Sequence, residues 1–219
     1  MAIENELKYV LLPKNEVGFM LDLELLGTTT VDKITQGYLL GGARIRSIVN
    51  KYEFPYPDPD TGELVYPDAN LKFTYKIRVG ADLVEIETDL SQADYNRLIT
   101  VARNTIVKTR ITVPDGYLNW EVDFFHDEYN NNLYLVMAEV EMAEGVEAPD
   151  TIPAFITDNL LYAVDREDRR FDNSNLSDPE AVRATVAHIK KENDKAFADI
   201  EYFRQKLSEN LIKENKNVN

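Results

Sequence analysis

The feature that most constrains this chain is a set of like-charged pairs, each two residues apart in a run that alternates charged with apolar side chains. They are Glu4/Glu6 followed by Lys8, then Arg44/Arg46, Lys76/Arg78, Glu85/Glu87, Lys108/Arg110, Glu121/Asp123 and Glu139/Glu141. Side chains on a strand alternate between faces, so each pair shares one face and its apolar neighbours take the other. Any one pair is what a solvated strand face looks like. Solvated faces usually mix signs, however, because like charges set close together repel. Segregated pairs therefore cost stability unless opposite charge sits between them. Arginine forks and lysine ammoniums suit a polyanion, and paired carboxylates suit a hard divalent cation such as Mg²⁺ or Mn²⁺. About eight strands would let the sheet close on itself and put every pair inside one lumen. The expected fold is α+β: a closed eight-stranded antiparallel β-barrel, with helices packed outside and a long C-terminal helix.

Composition bounds this picture. The 219 residues, 44% of them hydrophobic, suffice for one large domain or a domain plus an appendage. No apolar run is long enough to span a bilayer, and no basic-then-apolar leader opens the sequence. The absence of cysteine excludes disulfides and thiolate metal sites and makes a cytoplasmic address the default. A formal charge of -15 argues against nucleic acid or an anionic membrane as partner. It does not forbid an anion site, because a site is local.

Along the chain, 13–26 reads as a short helix with Val17, Met20, Leu21 and Leu25 on its stripe, and Gly41-Gly42 as a turn between strands. Residues 53–70 hold four of the nine prolines and read as an exposed insertion with a small hairpin of its own. Strands flank the turn at Gly80-Ala81-Asp82, and Ser91 with Asp94 opens a helix reaching about Arg103. Three further strands follow, the last two joined at Asn130-Asn131-Asn132. A connection and short helix occupy 149–162, and Ser177-Asp178-Pro179-Glu180 opens a helix reaching about Lys213. The domain division expected is 1–176 for the barrel and 177–219 for a helical extension.

The run Glu4-Asn5-Glu6-Leu7-Lys8 resembles the Glu-x-Glu-x-Lys opening of the CYTH, or triphosphate tunnel metalloenzyme, superfamily. The resemblance continues in order through Gln36-Gly37-Tyr38-Leu39, Ala43-Arg44-Ile45-Arg46, Tyr75-Lys76, Glu85-Ile86-Glu87, Lys108-Thr109-Arg110, Trp120-Glu121-Val122-Asp123-Phe124 and Ala138-Glu139-Val140-Glu141. It ends at Asp168-Arg169-Arg170-Phe171 and Asn175-Leu176. The resemblance implies an eight-stranded tunnel in which a divalent metal, Mg²⁺ or Mn²⁺, assists hydrolysis of an inorganic, thiamine or nucleoside triphosphate. It makes Glu4, Glu6, Glu139 and Glu141, with Asp123 near them, the metal-side carboxylates. It makes Arg44, Arg46, Lys76, Arg78, Lys108 and Arg110 the triphosphate contacts and Tyr38 a tunnel-lining residue. Lys8 stands near the scissile end, and Lys8, Arg46 and Glu6 are the catalytic candidates. Homodimers are common in the family. This chain departs from the family at Asn5 and Leu7, expected to face outward, and at Leu83, where many members carry a basic residue.

The expected reaction is metal-assisted transfer of the terminal phosphoryl group to water. Three rivals stand beside it: a class IV-type adenylyl cyclase, a non-catalytic module that captures nucleotides or polyphosphate, and a partner-binding role for the long helix. His126 reads as a surface or turn residue and His188 as solvent-facing. No Ser–His–Asp set and no phosphate-cradling glycine loop is present.

Overall fold

The alternating runs become strands in the computed structural model, which describes residues 5–51, 56–57, 64–65, 69–79, 82–143 and 145–216. In chain order these are β1 (Glu6–Leu11), α1 (Glu16–Glu24), β2 (Thr30–Tyr38), β3 (Ala43–Asn50), the two short strands β4 (Tyr56–Pro57) and β5 (Leu64–Val65), β6 (Asn70–Val79) and β7 (Asp82–Asp89). Then come α2 (Gln92–Ile99), β8 (Asn104–Asp115), β9 (Leu118–His126), β10 (Leu133–Glu141), α3 (Ala154–Thr157), β11 (Leu160–Val164) and α4 (Pro179–Lys216). Two 3-10 turns, Arg169–Phe171 and Asn173–Asn175, lie between β11 and α4.

Nine strands form one antiparallel sheet in the order β11-β1-β10-β9-β8-β2-β3-β6-β7. This corrects the closed eight-stranded barrel. Among the described residues no pairing joins β7 to β11, so the sheet has two edges. Closure fails for a local reason at each edge. β11 has five residues and bonds only to Lys8–Leu11 of β1, through a register shift at Val10/Leu11. The cavity-facing acids of β7 find their countercharges sideways, on β3 and β6, rather than across a gap. The sheet is nevertheless strongly rolled, because side chains from eight of its nine strands line one cavity.

Charge lies inside the roll and apolar bulk outside it, as the alternation predicts. Tyr9 and Leu11 of β1, Val136, Ala138 and Val140 of β10, Trp120, Val122 and Phe124 of β9, and Ile111 and Val113 of β8 form one core with Phe19, Leu23 and Ile156 from α1 and α3. A second cluster sets Tyr95, Leu98 and Ile99 of α2 over Ile45 and Leu71. Ser91 caps α2 by accepting from the Asp94 amide at 3.1 Å, the bond its sequence signature predicts.

Of the stripe expected on the first helix only Met20 packs against the core. Asn15 caps the helix, and its buried residues are Phe19 and Leu23, with Phe19 5.9 Å from the Phe124 ring. Burying two such side chains is worth about 1.5–3 kcal/mol each. Val17, Leu21 and Leu25 point to solvent instead. With apolar residues on both sides of so short a segment, periodicity cannot choose the face; the large ring wins by filling the space over β9.

The insertion carries the expected small hairpin, β4 paired with β5; the rest of 52–68 lies outside the described residues. At the start of α4, Asp178 is the cap, its carboxylate accepting from the amides of Glu180 and Ala181 at 3.1 Å. The Ser177 hydroxyl donates to Ser174 O. The chain divides into two compact units, Met1–Val182 and Arg183–Asn219. Among the described residues no helix is long and apolar enough to cross a membrane.

Candidate functional site

The concave face encloses a cavity of about 540 Å³. Six cations line it: Lys8, Arg44, Arg46, Lys76, Lys108 and Arg110. Six carboxylates line it too: Glu6, Glu85, Glu121, Glu139, Glu141 and Asp172. Ile34, Gln36 and Asn173 complete the wall. The like-charged pairs thus meet their countercharge on neighbouring strands, in two separate networks.

The first network spans β1, β10, β9 and β8, with Asp123 at its centre. That carboxylate is fully buried and accepts from Arg110 Nε at 2.7 Å, Arg110 Nη2 at 2.6 Å and Lys108 Nζ at 2.5 Å. Arg110 also binds Glu121 and, at 3.2 Å, Glu139. Lys8 bridges Glu6 at 3.1 Å and Glu139 at 3.2 Å. The second network spans β3, β6 and β7. Glu87 accepts from Arg46 at 3.0 Å and from the Thr74 hydroxyl at 3.2 Å, while Glu85 holds Lys76 at 3.4 Å and Arg44 at 3.6 Å. β2 lies between the two and contributes uncharged lining, with Gln36 donating to the Tyr38 hydroxyl.

Burial and neighbours set the charge states. Burial alone would lower Lys8, but the carboxylates of Glu139 and Glu6 more than reverse this and raise it, so Lys8 is an ammonium at any physiological pH. Burial pushes Tyr38 up to about 12 against the opposing pull of Arg44, so its hydroxyl keeps its proton. Burial and then the neighbouring Arg44 lower Arg46, which stays charged because a guanidinium does not deprotonate in proteins. Burial would raise Asp123, yet Arg110 and Lys108 hold it below the ordinary range. Burial lowers Lys108 while Asp123 pulls it up; with that carboxylate ionised at 2.5 Å, the pair is a salt bridge. Glu121 is raised, mainly by burial.

Most of the predicted site residues therefore converge: Glu6, Lys8, Arg44, Arg46, Lys76, Lys108, Arg110, Glu139 and Glu141 all face one cavity. Asp123 sits behind this lining with both oxygens engaged by Arg110 and Lys108. Tyr38 stands on β2 opposite Arg44 and Asn104. Glu4 and the side chain of Arg78 lie outside the described residues. Asn5, expected to face outward, is buried: its amide nitrogen donates to the carbonyls of Ala143 and Val146, and its oxygen accepts from Arg166 at 2.7 Å. The sequence reasoning missed Gln36, Asp172 and Asn173. Gln36 precedes Tyr38 by two residues, so alternation already placed it on the charged face. The other two belong to a 3-10 segment, where no period exists to find them.

Glu6, Glu121, Glu139 and Glu141 also line a second recess of about 390 Å³ with Tyr117 and Asn119. In register, Glu6 lies opposite Glu141 and Glu139 opposite Glu121. These are hard oxygen donors, the type Mg²⁺ and Mn²⁺ take. Among the described residues, however, no three such side chains form a group that could hold an ion by themselves. Mg²⁺ is usually held by one or two carboxylates together with substrate phosphates. The donors fit such a shared site in kind.

No known protein-family profile matches the sequence, and no curated protein does. Among solved structures, the chain is similar to a Bacillus halodurans protein provisionally named an adenylate cyclase, at 14% identity and a TM-score of 0.38, over 66% of this chain and 82% of that one. It is similar at the same TM-score, 0.38, to the Schizosaccharomyces pombe Mediator head module, at 6% identity over 70% of this chain and 87% of that one. Likenesses this slight carry no argument about function.

Proposed function

We propose that the cavity binds a triphosphate and that the protein is a metal-dependent triphosphatase, releasing the terminal phosphate by attack of water. One observation carries the reading: cations from two separated walls, Arg44, Arg46 and Lys76 on one and Lys8, Lys108 and Arg110 on the other, face a single cavity that Glu6, Glu121, Glu139 and Glu141 also line. A monophosphate cannot use so many donors. The lining carries as many carboxylates as cations, so a triphosphate would enter favourably only with added positive charge. Glu6, Glu139 and Glu141 would hold the divalent cation, which supplies charge neutralisation at the phosphate oxygens when bound.

In this reading Arg44, Arg46 and Lys76 exchange their carboxylate partners for phosphate oxygens and align the chain of three phosphates. Glu6 accepts a hydrogen bond from the attacking water and fixes its line of approach. As the water oxygen bonds to the terminal phosphorus, its proton passes to the Glu6 carboxylate and from there to solvent, the bridging P–O bond breaks, and the leaving diphosphate gains charge. Lys8, held as an ammonium, and Arg46 stabilise that charge by hydrogen bonds that strengthen toward the transition state.

Phosphorus NMR of ATP and of tripolyphosphate with Mg²⁺ or Mn²⁺ tests the proposal. Orthophosphate plus a diphosphate is expected, with Arg46→Ala lowering the rate more than it weakens binding. Cyclic AMP plus pyrophosphate would make the protein a cyclase of the class IV type. Tight binding without turnover would make it a capture module and refute the hydrolase.

A further inference from the structure

The apolar stripe of α4 runs on past its cover. Val182 and Ile189 are buried near the start of the helix, but from Lys190 to Tyr202 every residue is exposed. Among them are Phe197, 66% exposed, and Ile200, 51%. The helix continues to Lys216, about 40 Å beyond Ile189 at 1.5 Å per residue. A helix in water takes most of its stability from packing an apolar face. Here, among the described residues, that face lies open.

The spacing specifies what fits over it. Six distal positions, Asn193, Ala196, Ile200, Phe203, Leu207 and Asn210, continue in alternating steps of three and four the spacing of Val182, Val186 and Ile189. Such a repeat is the seam of a left-handed coiled coil. Laid antiparallel on a second copy of the chain, the seam meets itself in one register. Asn193 falls opposite the partner's Asn210, Ala196 opposite the partner's Leu207, and Ile200 opposite the partner's Phe203. Polar faces polar, and small faces large. The flanking row agrees: Glu192 falls opposite the partner's Lys213 and Asp199 opposite the partner's Lys206. Both pairs join opposite signs, and the two-fold axis repeats each of them. On the other flank Phe197 falls opposite the partner's Arg204, a ring and a guanidinium suited to each other. A parallel pair would set each Ala196 on the partner's Ala196 and each Phe203 on the partner's Phe203, leaving one layer hollow and another crowded.

Net charge favours the same arrangement. Residues 183–219 hold eight Lys or Arg and six Asp or Glu in a chain of net charge -15. The acidic surplus lies elsewhere, so two copies meet with least repulsion along this segment. The antiparallel register centres between Glu201 and Tyr202. It leaves the two Arg183 ends roughly 55 Å apart, several screening lengths at physiological salt.

We infer that the distal half of α4 is a homodimerisation surface, closing on a second copy of this chain as an antiparallel two-helix coiled coil. The inference does not depend on the triphosphate reading.

Sedimentation equilibrium of the full chain at tens of micromolar should give twice the mass of one chain. Ile200→Asp should return it to the mass of one, with the near-ultraviolet signal of Trp120, in the core of the sheet, unchanged. The sequence has no cysteine, so introduced thiols report the register. Asn193→Cys mixed with Asn210→Cys should cross-link under a mild oxidant, and Asn193→Cys alone should not. A single-chain mass at every concentration in that range overturns the inference, and so does a dimer that survives Ile200→Asp. Cross-linking of Asn193→Cys alone, or none in the mixture, overturns the antiparallel register and the inference with it.

Discussion

Replacing Asp123 by asparagine tests whether the first charge network is held from within. The side chain is fully buried, and its carboxylate takes two bonds from Arg110 and one from Lys108. Asparagine keeps the volume but removes the charge, taking from the buried Lys108 the carboxylate it bonds at 2.5 Å. Arg110 keeps Glu121 and Glu139, so Lys108 bears most of the loss. Breaking a buried ion pair by removing one partner costs about 3–5 kcal/mol. In a chain of this size each kcal/mol moves the midpoint by about 2–4 °C, so thermal unfolding should begin on the order of 10 °C earlier. Lys108→Met in the same background should restore part of the loss, because the stranded charge goes with it; guanidinium unfolding of the four-member cycle measures this. The result should be the same with and without a chelator, since the bonds are internal to the protein. A cost under about 1 kcal/mol, or a double variant less stable than the sum of the singles, would refute the argument; both expectations scale from buried pairs generally.

Gly37→Ala should destabilise by about 1–3 kcal/mol, because a Cβ there would stand 2.8 Å from Ile99 Cδ1 and 3.0 Å from Ala102 Cβ, pushing α2 off the sheet; urea unfolding checks it. Asn5→Leu should cost about 1–3 kcal/mol by orphaning the acceptors at Ala143 and Val146, and hydrogen exchange should quicken at 142–147 more than in β9. Asp168, held down to about 2 chiefly by its hydrogen bonds from Arg170, should contribute stability above the ordinary carboxylate range and lose it as pH falls through about 2. In Arg170→Ala its carboxyl, followed by carbon NMR, should titrate near the ordinary value of about 3.9.

Alternation made the sheet legible. Wherever a strand has one charged face and one apolar face, the period of two fixes both the element and the direction of its side chains, which is why nine site residues of the sheet share one cavity. Closure was not legible, because it depends on what two edge strands find to pair with, and alternation within a strand says nothing of that: β11 pairs with β1 and β7 with β6. The pattern also overstated the need for a ligand. Like charges along one strand looked uncompensated, yet the compensation runs across strands, Glu87 to Arg46 and Asp123 to Arg110, in a register that no linear pattern displays. Asn5 went unread for a related reason: its partners, Ala143, Val146 and Arg166, are remote in sequence. The face of α1 was ambiguous because apolar residues surround that helix.

The separation of the two charge networks bears on how the chain folds. β2–β3–β6–β7 and β8–β9–β10 are successive antiparallel strands, each formed through pairings near in sequence, while the β2–β8 and β1–β10 seams join distant segments. Each run carries both signs of charge: Arg46–Glu87 and Lys76–Glu85 close within the first, and Lys108–Asp123 and Arg110–Asp123 within the second. Each half can therefore form without waiting for the other's counterions. The slow event is docking along β2, which lines the cavity with the uncharged Ile34 and Gln36, and it bears the loop-closure entropy of the long-range pairing. Chevron kinetics should accordingly find substitutions in β2 slowing refolding, and removal of Glu87 or Asp123 acting mainly on the hairpins that precede docking.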